Sequence, residues 1–292
     1  MTLDAATPEP VTDDRYKWLA FGAVGSFFVT GVLSLTMVFV ALPAIAEDFD
    51  VTLKTASWVV IANSLTISAL LLPFGRLSDL IGRRRVHLAG LILFAAGSVF
   101  TALAGSFTVL LVARVAAAIG GALTESVGTG ILVSVFPDHE RGKAIGSQTT
   151  SVAVGAAAGP LAAGIALEFF SWRALFMVVA AMTVVTYVIG HLVLDERRIS
   201  RSQPARRPFD VVGAAGSTVL VVLLVVVLNN PFGLSWTSLP VLLGIVGLVV
   251  GLYAFVRWEL ARADPMLQLH RQRRPRQTER VVEHHHQQHQ EH

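Results

Sequence analysis

Eight long apolar stretches, at approximately residues 18–43, 56–74, 86–104, 107–135, 144–167, 173–194, 211–228 and 239–256, dominate this 292-residue chain. A bilayer requires roughly 20 apolar residues for each helical crossing, and each stretch is near or above that length. Backbone polar groups in lipid find no water, so each crossing must satisfy them internally, and the stretches lack the alternation of barrel strands. The pattern predicts an all-α polytopic membrane protein with about eight transmembrane helices. Composition agrees: 15% of residues are charged, against about 25% in soluble domains.

Lys and Arg gather on the cytoplasmic side of membrane proteins. Here all but Lys54, Arg114 and Arg173 of the 23 basic residues fall on one set of alternate loops and the termini. Both termini are therefore expected in the cytoplasm and the chain in the cell (inner or plasma) membrane. The basic balance then reflects orientation, and nucleic-acid binding would need a soluble domain that is not visible. The opening polar segment has no apolar core of its own and reads as a cytoplasmic tail over 1–17, without a cleavable signal. The absence of cysteine excludes disulfides, thiolate metal sites and cysteine nucleophiles. No nucleotide-binding glycine-rich loop, His-Glu-x-x-His pair or nucleophile–base set points to an enzyme, and no cofactor is expected.

Between the second and third stretches lies GRLSDLIGRRR, residues 75 to 85. Gly75 and Gly82 are expected to allow tight packing and a sharp turn, Asp79 to face a helix N-terminus, and the arginines to sit at the lipid headgroups. The run is similar to the loop signature of the major facilitator superfamily, matched by Gly75, Leu77, Asp79, Gly82, Arg83 and Arg84, with Arg76 also in the loop. In the fifth stretch GAAAGPLAAG, residues 155 to 164, resembles the proton-linked exporters' motif. Gly155, Gly159 and Gly164 match, and Ala163 stands where a glycine is usual. Small residues at four-residue spacing let helices approach, and Pro160 removes a backbone donor and can bend the span.

ALPAI at 41–45, SWRALF at 171–176 and FVRWELARADPM at 255–266 resemble the 14-span drug:proton antiporters. That resemblance implies a six-helix N-terminal bundle over 18–194, a basic cytoplasmic loop over 195–210 and two linker helices over 211–256. It also makes Arg114 the fourth-span arginine tied to proton transfer. The aspartate of the loop signature is then implied to latch against a helix of a C-terminal bundle.

The chain departs from this pattern at informative places. Ser34 stands where the family carries a first-span acid, Phe39 where it carries asparagine, Ala117 and Ala118 where it carries a Gln-Gly pair, and Ser126 where proline is common. Glu125 becomes the one carboxylate deep within a span, where ionisation costs about 2.5–3.5 kcal/mol on the lenient insertion scale. It follows Arg114 by 11 residues, close to three helical turns and roughly 16 Å of rise, so the two face nearly the same side without touching. Glu125 is a candidate replacement for the missing acid as a proton or cation site. The alternative is a protonated, hydrogen-bonded interior glutamate. Ser34, Asn63 and Gln148, with Ser64, Thr66 and Thr149, are candidate cavity-lining groups or interhelical hydrogen-bond formers.

Residues 257–292 form a basic, His-rich tail in which no further span is expected. Its composition reads as disordered. His284, His285, His286, His289 and His292 offer no fixed metal geometry, and no metal site is assigned. The resemblance therefore implies a proton-coupled exporter of drugs or other small organic compounds, cut short after the eighth span. Its partners would be a small-molecule substrate, protons, the lipid bilayer, and a C-terminal half or a second copy in a homodimer. Transport of a specific metabolite by the same fold is one alternative. A non-transporting membrane scaffold or regulatory partner is another.

Overall fold

The computed structural model describes residues 14–200, 211–229 and 234–260. The His-rich tail, the basic residues Arg201, Arg206 and Arg207, and most of the N-terminal tail lie outside them. Among the described residues ten α-helices run in chain order: α1 Asp14–Asp48, α2 Leu53–Ala56, α3 Trp58–Ile81, α4 Arg83–Ala102, α5 Phe107–Val135, α6 Arg141–Phe169, α7 Trp172–Val193, α8 Glu196–Ser200, α9 Val211–Asn229 and α10 Leu239–Leu260. A single 3-10 turn, Asp138–Glu140, leads into α6. Seven of the described spans are long and apolar enough to cross a membrane, and α9 adds the shorter apolar stretch Ala215–Leu228. The expected architecture of about eight spans is therefore present, with α2 and α8 as short connecting turns.

Local sequence explains the breaks. Thr52 caps α2 by accepting from the Thr55 N–H at 3.2 Å, and Ser106 caps α5 by accepting from the Val109 N–H at 3.4 Å. Each side-chain oxygen satisfies one of the donors a helix start leaves unpaired. Gly82 separates α3 from α4 at φ +112°, a conformation that strains any residue with a Cβ. At the same end, α1 begins before the first apolar stretch: Lys17, expected in the tail, lies within the helix. Its ammonium is buried against Glu140 at 2.5 Å.

The chain divides into two units, Met1–Val249 and Val250–His292; in the second, the described residues complete α10. Within the first, two apolar clusters form the interior. One gathers Met37, Ile45, Val59, Leu91, Leu110, Trp172 and Phe176. The other gathers Val24, Val86, Val127, Ile131, Leu194 and Ile199 at the end that carries Gly82.

Lipid supplies no hydrophobic drive between helices, so close van der Waals packing must hold them, and small residues permit it. A Cβ on Gly97 would lie 2.6 Å from the Cα of Ala117, and one on Gly90 would lie 2.8 Å from the Gly120 carbonyl oxygen, so α4 and α5 meet backbone to backbone. On the other side α6 meets α1. A Cβ on Gly155 would stand 2.5 Å from the Val29 oxygen, and one on Gly159 would collide with Thr36. Ala163, where the motif favours glycine, is fully buried in the same interface. Gly164 has open space around it, so the expectation that it packs is corrected: it falls one residue past the buried face.

Replacing Gly97 by Val should force α4 away from α5 and lower stability by about 1–3 kcal/mol, the usual cost of overpacking. Gly142→Ala, where a Cβ meets nothing within 4 Å, should leave the thermal unfolding midpoint of the detergent-solubilised protein unchanged or slightly raised. Equal midpoints for the two variants would contradict the packing account.

Candidate functional site

Arg114 is the largest fully buried side chain of the described residues, 1% exposed in the first third of α5. Its Nη2 donates to Oδ1 of Asn63 on α3 at 3.0 Å, and its guanidinium carbon lies 5.2 Å from the centroid of the Phe176 ring on α7. Nε and Nη1 have no hydrogen-bond partner. An aromatic face and one neutral amide therefore receive a cation that no protein environment deprotonates.

A cavity of about 210 Å3 opens beside it, between α1, α3, α4 and α5. Phe27, Phe28 and Phe94 supply apolar wall; Ser34, Asn63, Ser64, Ser68, Arg114 and Glu125 supply the polar groups. The Ser34 hydroxyl is 2% exposed and also lacks a partner. The structure thus brings Ser34, Asn63, Arg114 and Glu125 to one wall-lined space. Arg114 and Glu125 share it without an ion pair, as their separation on α5 requires.

Glu125 also lines a second cavity of about 470 Å3, together with Gly75, Arg76, Asp79, Arg83, Thr129 and Gln148. The carboxylate is half-buried, and no described residue makes a hydrogen bond or ion pair with it. It is the one ionisable group common to both cavities. Gln148 belongs to the second cavity alone and donates from Nε2 to the Thr129 hydroxyl at 2.9 Å. Thr66 and Thr149 line neither; their hydroxyls return to Ala62 and Ile145 carbonyls on their own helices.

The glycine–arginine loop is built differently from expectation. Asp79 does not turn to a helix N-terminus but holds the Arg83 side chain, Oδ1 to Nη2 at 3.2 Å. Arg83 in turn donates from Nη1 to the Gly130 carbonyl at 2.8 Å. Arg84 holds the end of α7: Nε donates to the Leu194 oxygen at 2.6 Å and Nη2 to the His191 oxygen at 2.9 Å. The last carbonyls of α7 lack intrahelical donors and sit at the negative end of its dipole, so a two-pronged cation is their natural partner. Gly75 packs against nothing within 4 Å of a Cβ position; it is open wall of the second cavity, and the expected tight packing is absent. Gly82 keeps its expected turn.

Three interactions escaped the sequence reading. Glu196 on α8 places Oε1 only 2.7 Å from where a Gly82 Cβ would be, so the carboxylate near the start of α4 is Glu196 rather than Asp79. His87 is completely buried on α4, with Nδ1 3.4 Å from the Thr124 oxygen. The Arg173 guanidinium bridges to Asp48 at 2.8 Å and stacks 4.3 Å from the Trp172 ring. Only Arg173 left a local signal, an arginine directly after a tryptophan at a helix start. Among the described residues no group of acidic and histidine side chains could hold a metal ion.

Residues 20–260 match the family model of the Major Facilitator Superfamily. The chain is 32% identical over 216 residues to the riboflavin transporter RibZ of Clostridioides difficile, covering 72% of this chain and 46% of that protein. It is 32% identical over 266 residues to the multidrug efflux pump LfrA of Mycolicibacterium smegmatis, covering 90% and 51%. Against a probable actinorhodin transporter of Streptomyces coelicolor it is 31% identical over 260 residues, covering 88% and 44%. The chain thus spans about half the length of the curated relatives it matches. Among solved structures, the human organic anion transporter MFSD10 superposes with a TM-score of 0.58 at 17% identity, over 71% of this chain and 55% of that one. A bacterial homologue of the human lysosomal transporter Spinster, in an inward-facing unoccupied conformation, gives 0.54 at 22%, over 68% and 45%. These two likenesses concern the fold.

Asn63 is the one hydrogen-bond acceptor of the buried guanidinium. Asn63→Val should therefore destabilise the bundle by roughly 1.5–3 kcal/mol, the usual worth of a hydrogen bond to a charged group, read as a lower thermal midpoint in detergent. A midpoint equal to that of the parent would show that Arg114 finds its partner elsewhere.

Proposed function

From its membership of the major facilitator superfamily, matched over residues 20–260, we propose that this chain is the N-terminal bundle of a proton-coupled exporter of small organic compounds. The chain is a multi-pass membrane protein of a transporter family. Relatives named as a multidrug efflux pump and as a tetracenomycin C resistance and export protein support the direction and breadth of transport. The observation that carries the proton coupling is Glu125, a carboxylate without a partner that lines both the inner cavity and the cavity beside the glycine–arginine loop. A carboxylate in that position exchanges a proton with either space and changes the charge of both when it does so. Arg114 gives the inner cavity a fixed positive group at a distance from it.

The resemblance to 14-span antiporters supports α9 and α10 as the linker pair that follows a six-helix bundle. Transporters of this superfamily move substrate between two bundles that rock about a central site, so the cycle needs a second bundle facing this one. Vesicles containing this chain alone should show no export driven by a proton gradient; export from such vesicles would overturn the half-transporter reading. Transport of one specific metabolite is the second reading. It is favoured by Ser34 at the usual acidic position and by the relative named as a riboflavin transporter.

In an active transporter containing this chain, Glu125→Gln should reduce gradient-driven efflux of the uncharged dye Nile red at least about tenfold while leaving the protein folded and inserted. Efflux that still follows the gradient with the parent's dependence would remove Glu125 from the coupling. Orientation has its own test, since the chain lacks cysteine. A cysteine at position 54 should react with an impermeant maleimide applied to intact spheroplasts, and one at position 142 should react only after permeabilisation. The reverse pattern would invert the topology.

A further inference from the structure

We propose that the inner cavity takes an organic carboxylate with an aromatic body, its charge held at Arg114 with Ser34 and Asn63 and its rings against Phe27, Phe28 and Phe94. The inference deepens the transport reading and rests on it for the assumption that this cavity is where substrate is held. It starts from an unbalanced charge. Arg114 is 1% exposed, its one hydrogen bond goes to a neutral amide, and Nε and Nη1 remain without acceptors.

A guanidinium stays ionised, and a buried cation without a counter-charge is costly. No carboxylate of the described residues reaches it. Glu125, the one acidic group on the same cavity wall, sits 11 residues along the same helix, roughly 16 Å away by rise. The Ser34 hydroxyl, also buried and unpartnered, lines the same space and is a donor. The unpartnered Nε and Nη1 of Arg114, the unpartnered Ser34 hydroxyl and a cation without an anion describe a site for an oxyanion that accepts from several donors at once.

The rest of the wall argues for the body of the ligand. Phe27 and Phe94 meet edge to face at 5.3 Å between centroids, and with Phe28 and Ile67 they give the cavity an apolar lining. A dry apolar cavity of about 150 Å3 accepts benzene, so the 210 Å3 here suits one or two fused rings. A small inorganic anion would leave that lining uncovered, and a lipophilic cation would meet Arg114 with like charge.

The test is equilibrium binding to the whole chain in nanodiscs of zwitterionic lipid, with 1-naphthoate, uncharged 1-naphthamide and 1-naphthylmethylammonium as probes. Naphthoate should bind at least about tenfold more tightly than the amide, and the ammonium more weakly than either. Ser34→Asp places a carboxylate on the cavity wall to serve as an internal counter-charge. It should weaken naphthoate at least tenfold more than it weakens the amide and raise the thermal midpoint. Arg114→Gln should abolish the preference, and Ser34→Asp keeps the test decisive if that variant does not fold. Equal affinity for naphthoate and naphthamide, or naphthoate binding unaffected by Ser34→Asp, would overturn the proposal and assign the orphaned donors to buried water. Because no transport step enters the readout, such a result leaves proton-coupled export standing, whereas gradient-independent efflux in a chain that prefers naphthoate removes the coupling alone.

Discussion

A cation that cannot lose its charge, placed among apolar helices, sets the conditions that the middle of this bundle must meet. Arg114 draws Asn63 from α3 and Phe176 from α7 towards α5. The aromatic ring and the amide soften the cost of burial but do not neutralise it. Space beside the guanidinium follows from the same requirement, because dense apolar packing around its remaining donors would leave them permanently unsatisfied. Polar residues on the facing helices, Ser34 and Ser64 among them, accordingly border a cavity rather than a closed core.

The helices around that cavity are held by contact distance. Gly97 against Ala117, Gly90 against Gly120, and Gly155 against Val29 bring backbones together, which gains dispersion energy where lipid offers no hydrophobic drive. The two glycine seams lie on different pairs, α4 with α5 and α1 with α6. The space that contains Ser34 and Arg114 is left where α1 and α3 face the pinned pair of α4 and α5. Ala117 contributes directly: a long polar residue at that position would collide with the backbone of α4 at Gly97.

How much was legible depends on the range of the interaction. The spans, the Gly82 turn and the burial of Arg114 could be read because each follows from a local property: apolar length, freedom from a Cβ, or charge within a span. The common face of Arg114 and Glu125 could be read from helical period alone. Arg84 meeting Leu194, Glu196 meeting Gly82 and Lys17 meeting Glu140 could not, since each joins residues more than a hundred positions apart and depends on how the helices are arranged. Asp79 shows the resulting error. Its sequence position suggested a helix N-terminus, but the first residue of α4 is an arginine within reach of its carboxylate, and a direct ion pair forms instead. Gly164 shows another: the motif spacing is right by count, yet the buried face of α6 passes through Ala163, and period alone does not fix which of two adjacent small residues faces inward.

The two ionisable groups of α5 are best understood by how weakly they must feel each other. At roughly 16 Å and an effective dielectric near 20, opposite unit charges attract by only about 1 kcal/mol. Glu125 therefore cannot serve as the counter-ion that Arg114 lacks, and Arg114 does little to hold Glu125 ionised. Had the two been placed one turn apart, they would have formed a closed pair, and neither would have had anything to offer a ligand or a proton. Eleven residues keep them on one side of the helix and on one cavity while leaving each unspent. In the proposed transport cycle, this separation leaves Glu125 free to change charge as it takes up or gives away a proton, while the guanidinium of Arg114 stays available to a ligand.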